Sequence, residues 1–120
     1  MIELIFVIVV LGILSAIAIP RFAATRTDAQ ISAGRATISA VRSGIVSERQ
    51  SRMLQGNMQY TPALGSGFAN VLTYPATKWS GSGPSYTYKV GESTCTFTYY
   101  QSNGMFVGTN LTGECTKLDF

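Results

Sequence analysis

Residues 1–22 read MIELIFVIVVLGILSAIAIPRF, and this stretch decides how the rest of the chain is interpreted. After Glu3, seventeen residues carry no charge, and Pro20 closes the run directly before an arginine. An α-helix over residues 4–20 would span about 25 Å, slightly short of a hydrocarbon core of about 30 Å, and the first two residues make up the difference. The run is apolar on all sides, so it predicts a helix buried in lipid or among other helices.

A secretory signal peptide is the alternative for this segment, because its apolar region also lies near an N-terminus. Signal peptides begin with basic residues and end at a small-residue cleavage site, whereas this segment begins with an acid and continues into a second helical pattern. Arg21 and Arg26 at its end would place the remainder in the cytoplasm by the positive-inside rule. The cysteines and the Thr-, Ser-, Tyr- and Gly-rich remainder indicate the outside. Both observations hold if a basic leader preceded residue 1 and was removed after insertion.

The composition fits one small domain and argues against several chemistries. The chain has 120 residues, a net charge of +3, no histidine and two cysteines, Cys95 and Cys115. This pair, without Cys-x-x-Cys spacing, argues against zinc and favours one disulfide in an oxidising compartment; two free buried thiols are the alternative. Six arginines fall between Arg21 and Arg52, which indicates a solvated helix face more than a nucleic-acid site.

No motif of the sequence supports catalysis. Acid–base chemistry lacks a histidine, and the chain has neither a Walker-type nor a dinucleotide-binding glycine motif. The carboxylates are few and scattered, so a glycosidase pair or a calcium loop has no support. We therefore predict a protein that is not an enzyme, with no catalytic residues, no metal, no cofactor and no small-molecule substrate.

The segment after Pro20 is helical and less apolar. Residues 22–55 are predicted to form the amphipathic second half of one long helix, and Gly56-Asn57 is a plausible stop. Apolar residues at steps of three and four form one narrow face of this helix, which is predicted to pack on a sheet. The face consists of Ile31, Gly34, Ile38, Val41 and Ile45. The remaining arginines lie off that face, at Arg35, Arg42, Arg49 and Arg52. Residues 56–84, rich in Gly, Ser, Pro and Ala, predict a long connecting loop, with Tyr74 and Trp79 as its anchors.

Over residues 85–120 the apolar period changes to two, which is typical of strands. The side chains on the inner face are Tyr86, Tyr88 and Val90, then Cys95, Phe97 and Tyr99. Asn103-Gly104 is the strongest hairpin signal in the chain, and with that turn Phe106 shares a face with Tyr99. The predicted fold is therefore α+β, a long N-terminal helix packed on an antiparallel sheet of three or four strands, with Cys115 tying the last segment to the Cys95 strand.

The first half of the chain resembles the type IV pilin family, which includes the pseudopilins of type II secretion. Met1-Ile2-Glu3-Leu4 matches the family's mature N-terminus from its third residue. An apolar run with Gly12 and Pro20, and then an Ala- and Arg-rich helix, follow at the family's spacing. The resemblance covers about residues 1–55, and the rest is similar only in layout, as a small sheet closed by two cysteines. The family's first two mature residues, including an N-methylated phenylalanine, do not occur here, so processing by a prepilin peptidase is implied by resemblance alone.

The resemblance implies a role for the hydrophobic segment, residues 1–21, in subunit assembly. In this family the glutamate that matches Glu3 pairs with the N-terminal amine of an adjacent subunit, and a lone carboxylate in hydrocarbon is penalised by about 2.5–3.5 kcal/mol. The alternative is that Glu3 lies at headgroup level, where it favours the helix dipole. The apolar residues predicted to contact neighbouring subunits are Leu4, Phe6, Leu11 and Leu14.

Gly12 and Pro20 both weaken a helix. Proline lacks the amide hydrogen and crowds the preceding turn, and glycine is a poor helix former. Filaments of this family commonly lose helicity in the matching stretch. We therefore predict a non-helical or stretched segment within residues 12–20 of the assembled form; a simple kink is the alternative, because transmembrane helices tolerate both residues.

The function that the resemblance implies is that of a structural subunit of an extracellular type IV pilus, held in the inner membrane before assembly. Its expected partners are identical subunits in a helical filament, the pilus assembly machinery and a prepilin peptidase, with a host surface or DNA as possible external partners. Adhesion, twitching motility or DNA uptake would follow. The alternatives are a pseudopilin of a type II secretion system and a membrane-tethered binding protein that never polymerises.

Overall fold

A computed structural model describes residues 1–17 and 25–120 of the chain. It confirms the α+β class, with one long helix and a four-stranded antiparallel sheet. The molecule is elongated, with extents of 81 × 27 × 21 Å. The elements in chain order are helix α1 (Ile2–Leu54), a 3₁₀ helix (Ser66–Phe68), strands β1 (Trp79–Ser80), β2 (Ser85–Val90), β3 (Ser93–Tyr100) and β4 (Met105–Thr109), and a second 3₁₀ helix (Gly113–Leu118).

Helix α1 ends at the predicted stop. Gly56 has a positive φ of 87°, which glycine adopts without steric cost. Its amide donates to the Met53 carbonyl at 3.0 Å, and the Asn57 amide donates to the Arg52 carbonyl at 2.9 Å. These two hydrogen bonds form a Schellman motif, which satisfies the last carbonyls of the helix and turns the chain back toward the sheet.

The predicted inner face of α1 is confirmed. Its apolar side chains are at most 7% exposed, and they pack on the sheet: Ile31, Ile38, Val41 and Ile45. Gly34 lies on the same face, where a Cβ would be 2.8 Å from Leu118 Cδ2 and from Tyr88 Cε1. The helix and the head approach so closely at this point that only glycine fits without displacement.

The sheet has the order β1-β2-β3-β4, and each strand pairs with its chain neighbour. Tyr86 lies opposite Phe97, and Tyr99 lies opposite Phe106, so the predicted inner face is confirmed. Residues 101–104 connect β3 to β4, with Gly104 at a φ of 70°. The predicted hairpin at this point is therefore present.

The range predicted as a connecting loop, residues 56–84, also contains strand β1 and a 3₁₀ helix. Trp79 anchors it as predicted: it is 5% exposed and stacks on Tyr88, with ring centroids 4.9 Å apart. The prediction of Tyr74 as a second anchor is wrong, because that side chain is 85% exposed. Phe68 takes that role, fully buried against the rings of Tyr86, Trp79 and Phe106.

The two cysteines form the predicted disulfide. Cys95 on β3 is bonded to Cys115 in the second 3₁₀ helix, with the two Cα atoms 5.4 Å apart. Both are buried in the core of the head. The bond closes a loop with a sequence separation of 20 and fixes the last segment against the sheet.

Candidate functional site

Residues 1–17, called here the N-terminal segment, comprise Met1 and the first part of α1 and form a long exposed apolar surface. All its residues are exposed, and thirteen of them are large apolar side chains. Their exposed fractions lie between 37% for Val10 and 100% for Met1. Full burial of one such side chain is worth about 1.5–3 kcal/mol. An apolar surface of this size marks a contact with protein or lipid.

The predicted assembly residues lie on more than one side of this segment. Leu4, Phe6, Leu11 and Leu14 are 66%, 69%, 58% and 56% exposed. Leu4 and Leu11 are seven residues apart and share a face at 3.6 residues per turn, whereas Phe6 lies on the opposite side. A single flat partner can bury only one side of a helix. Because this helix is apolar on opposite sides, its geometry suits contact with several neighbours.

Glu3 is the only charged side chain in the N-terminal segment, and it is exposed in the first turn of α1. The ion pairs of residues 1–17 and 25–120 are Glu48–Arg52 and Glu114–Lys117, so within these ranges Glu3 has no cationic partner. In this position the negative charge of Glu3 interacts favourably with the positive N-terminal end of the helix dipole. Within the described part of the chain, the Glu3 carboxylate therefore carries an exposed and unpaired negative charge.

Gly12 and Pro20 are the two residues predicted to weaken the helix. Gly12 lies within α1, and a Cβ at this position would meet nothing within 4 Å. Pro20 lies outside the described residues. The stretched segment predicted within residues 12–20 concerns the assembled form and stays a prediction. Over residues 1–17 and 25–54, no stretch of helix combines the length and the apolar character that crossing a membrane needs.

Three tyrosine hydroxyls tie the head together, and the alternating pattern alone did not indicate this role. Tyr88 donates to the Gln30 carbonyl of α1 at 2.7 Å, and Tyr99 donates to the Thr61 carbonyl at 2.7 Å. The Tyr86 hydroxyl donates to the backbone carbonyl of residue 65 at 3.2 Å. Burial raises the pKa of each of these tyrosines above its ordinary value. The groups are structural anchors and lie away from the N-terminal segment.

A row of arginines follows one flank of α1 at seven-residue spacing, and its contacts are aromatic rings and backbone carbonyls. Arg35 and Arg42 lie over the Phe120 ring, with guanidinium carbons 4.7 and 5.0 Å from its centroid. Arg42 also donates to the carbonyls of Phe106 at 3.1 Å and Phe120 at 2.9 Å. Arg49 lies over the Tyr60 ring at 4.3 Å. These contacts hold strand β4, Phe120 and the loop after α1 against the helix.

Among the described residues, no group of three or more histidine, cysteine or carboxylate side chains could hold a metal ion. Comparisons with protein-family models, with curated proteins and with solved structures found no match to the chain. The exposed N-terminal segment is the main candidate for a functional surface among the described residues.

Proposed function

We propose that the chain is a structural subunit of an extracellular filament of the type IV pilus class, which polymerises through its N-terminal segment. Before assembly the subunit is held in the inner membrane by residues 1–21. A prepilin peptidase and the pilus assembly machinery act on it there. The filament then supports adhesion, twitching motility or DNA uptake, and the subunit is not an enzyme.

The observation that carries the proposal is the exposure of the N-terminal segment on all sides. Its thirteen large apolar side chains have no partner in the described head, whereas the inner face of the same helix is at most 7% exposed. Packing copies of the segment side by side would remove most of this surface from water. The gain is on the order of tens of kcal/mol before the entropy of association is subtracted.

Glu3 would determine how neighbouring copies are aligned along the axis of the bundle. In a bundle of such helices an unpaired carboxylate would be desolvated, so each copy needs a cation from a neighbour, and an N-terminal amine is the cation that every copy repeats. Removing one partner of a buried pair costs about 3–5 kcal/mol. The pair therefore favours one axial register of neighbouring copies over the others.

The test is the Glu3→Ala variant expressed in cells that assemble the filament. We expect the subunit to remain in the membrane fraction and filaments to be lost, measured by shearing and electron microscopy. Glu48→Ala is the matched control, because that carboxylate pairs with Arg52 at 3.3 Å on the surface of the head. It should leave filament yield unchanged. Normal yield from Glu3→Ala would refute the proposed role of the carboxylate.

Two further outcomes separate the alternatives. Long native filaments purified from cells would exclude a short secretion pseudopilus. A subunit that stays monomeric in detergent and never enters a filament would instead favour a tethered binding protein, for which the exposure of the N-terminal segment would serve anchoring alone.

A further inference from the structure

A cavity of about 450 Å³ lies at the end of the head that is far from the N-terminal segment. Three separate stretches of chain build it: the last turns of α1, the loop that follows, and the β3–β4 turn. Its lining consists of Arg49, Met58, Gln59, Tyr60, Gln101 and Ser102. Arg49 is 48 positions from Met1, about 70 Å along the helix at 1.5 Å per residue. The volume lies within the range of small-ligand sites in proteins.

Arg49 brings a fixed and uncompensated positive charge to this cavity. One nitrogen, Nη1, donates to the Tyr60 hydroxyl at 2.8 Å, and the guanidinium lies over the Tyr60 ring. Its Nε is buried without a hydrogen-bond partner. Within the described ranges Arg49 is in no ion pair, whereas Arg52, three residues later, pairs with Glu48. Tyr60 thus holds the side chain in place, and within the described ranges no carboxylate neutralises its charge.

Most of the remaining lining is polar and neutral, and Met58 adds one exposed apolar side chain. Gln59, Gln101 and Ser102 are exposed, and the lining contains no carboxylate. An amide side chain both donates and accepts hydrogen bonds, and a hydroxyl does the same. A ligand that carries one negative charge among several hydroxyl groups matches this set of side chains.

A second cavity, of about 410 Å³, adjoins the first and shares Gln101 and Ser102 with it. Its lining adds the flat apolar surfaces of Pro62, Pro84 and Tyr100, and Tyr100 is 46% exposed. Flat apolar side chains pack against the C–H faces of sugar rings. The two cavities together therefore offer a charged position beside an apolar one.

The number of charges decides between two polyanions. Nucleic-acid sites neutralise several phosphates with several Lys or Arg side chains, but one cation lines these two cavities. A guanidinium matches the planar geometry of a carboxylate. We propose that the paired cavities bind an acidic saccharide, with the carboxylate of one uronic-acid unit at Arg49 and a neighbouring ring against Tyr100.

The test uses the full chain in a nonionic detergent, titrated calorimetrically with an oligogalacturonide. A neutral galactose oligomer of equal length is the matched ligand. We expect saturable binding of the acidic oligomer, weakened by salt, and none of the neutral one. The site lies on single subunits, so the result does not depend on whether filaments form.

Three variants locate the binding. Losing a charge-assisted contact is worth about tenfold or more in affinity, so Arg49→Gln should weaken binding by at least that factor. Gln101→Glu should weaken it and Gln101→Lys should strengthen it. Gln101 is exposed and donates only a long hydrogen bond, 3.5 Å, to the Tyr60 carbonyl, so both variants should leave the head folded. Arg35→Gln removes an equal charge beside Phe120, outside both cavities, and should leave affinity unchanged.

Three results would overturn the proposal. The first is absence of saturable binding at low salt. The second is binding that is equal for the acidic and the neutral oligomer, or insensitive to both Gln101 variants. The third is binding of a single-stranded oligonucleotide in preference to the oligogalacturonide, which would assign the cavities to phosphate.

Discussion

Helix α1 contains one region that the rest of the molecule leaves exposed and another that it buries. Within α1, the N-terminal segment is exposed at every residue, whereas Ile31, Ile38, Val41 and Ile45 are at most 7% exposed. Both regions are rich in the same β-branched and aliphatic side chains. The difference lies in their arrangement, since apolar residues surround the first region and follow a single stripe in the second.

A stripe and a surrounding surface need different partners. An apolar stripe along a helix can be buried by one flat sheet, and strands β1–β4 of the same chain form that sheet. A helix that is apolar all round needs partners on several sides, and the described head provides none. The core of the head is thus completed within one chain, whereas the described head leaves the N-terminal segment uncovered.

The strongest contrast is expected from one substitution made in each region. Ile38→Ala removes a fully buried side chain, and such changes cost about 2–5 kcal/mol of unfolding free energy. Ile8→Ala changes a side chain that is 61% exposed and should leave the stability of the head within about 0.5 kcal/mol. Denaturant unfolding in detergent, followed by the fluorescence of the one tryptophan, Trp79, measures both. Equal costs would contradict the division of the helix into two regions.

Loss of the disulfide should weaken the head alone. Removing both cysteines, Cys95→Ala with Cys115→Ala, releases the loop constraint on the unfolded chain and should cost about 3 kcal/mol. The association of the N-terminal segment should not change under conditions in which the head remains folded. Thermal unfolding with and without reductant measures the first effect, and sedimentation measures the second. An unchanged melting temperature under reductant would count against a stabilising role of the bond.

Two glycines on α1, Gly34 and Gly12, lie in opposite surroundings. Gly34→Ala places a methyl group 2.8 Å from Leu118 and Tyr88, and overpacking of this kind costs about 1–3 kcal/mol. Gly12→Ala meets nothing within 4 Å, so the single subunit should gain helix stability of about 0.5–1 kcal/mol. Circular dichroism during thermal unfolding distinguishes the two. A stabilising Gly34→Ala would show that the helix and the head do not pack this closely.

The smallest effect is expected from alkaline pH, and it should again be confined to the head. The folded state favours the protonated form of Tyr86, Tyr88 and Tyr99, because burial raises the pKa of each hydroxyl. Their contribution is therefore fully present below the ordinary tyrosine pKa of about 10 and is lost as pH rises through the higher folded pKa. Unfolding free energy measured against pH should fall in that window.

Tyr88→Phe is the variant that reads this effect, and Tyr74→Phe is its control because Tyr74 is 85% exposed. Tyr88→Phe should flatten the alkaline loss, since one of the three anchoring hydroxyls is gone. If the two variants depend on pH equally, the buried hydroxyls do not control alkaline stability.

Periodicity predicted most of this fold, and it failed where the chain has none. The steps of three and four in α1 and the alternation in β2 and β3 each identified the buried face, because a repeating pattern reflects one flat partner. Residues 56–84 have no period, so β1 and the anchoring Phe68 could not be predicted from local sequence. Tyr74 and Trp79 were indistinguishable as anchors, since only the pairing of β1 with β2 brings Trp79 over Tyr88.

The candidate site was predictable to a similar degree. The apolar composition of the first twenty residues indicated a surface in need of partners, and Glu3 stood out because a charge there is costly. The cavities beside Arg49 could not be predicted, because their lining comes from stretches up to about fifty residues apart that only tertiary structure brings together. Spacing placed Arg49 off the inner face, but its approach to Tyr60 follows from the turn after α1.

Electron cryomicroscopy of filaments sheared from cells that express this chain tests the role of the N-terminal segment most directly. We predict a filament core made of many copies of this segment, with Glu3 of each copy facing a cation of the next and a non-helical or stretched stretch within residues 12–20. Copies that meet only through their heads, with the N-terminal segment alone in lipid or detergent, would contradict it.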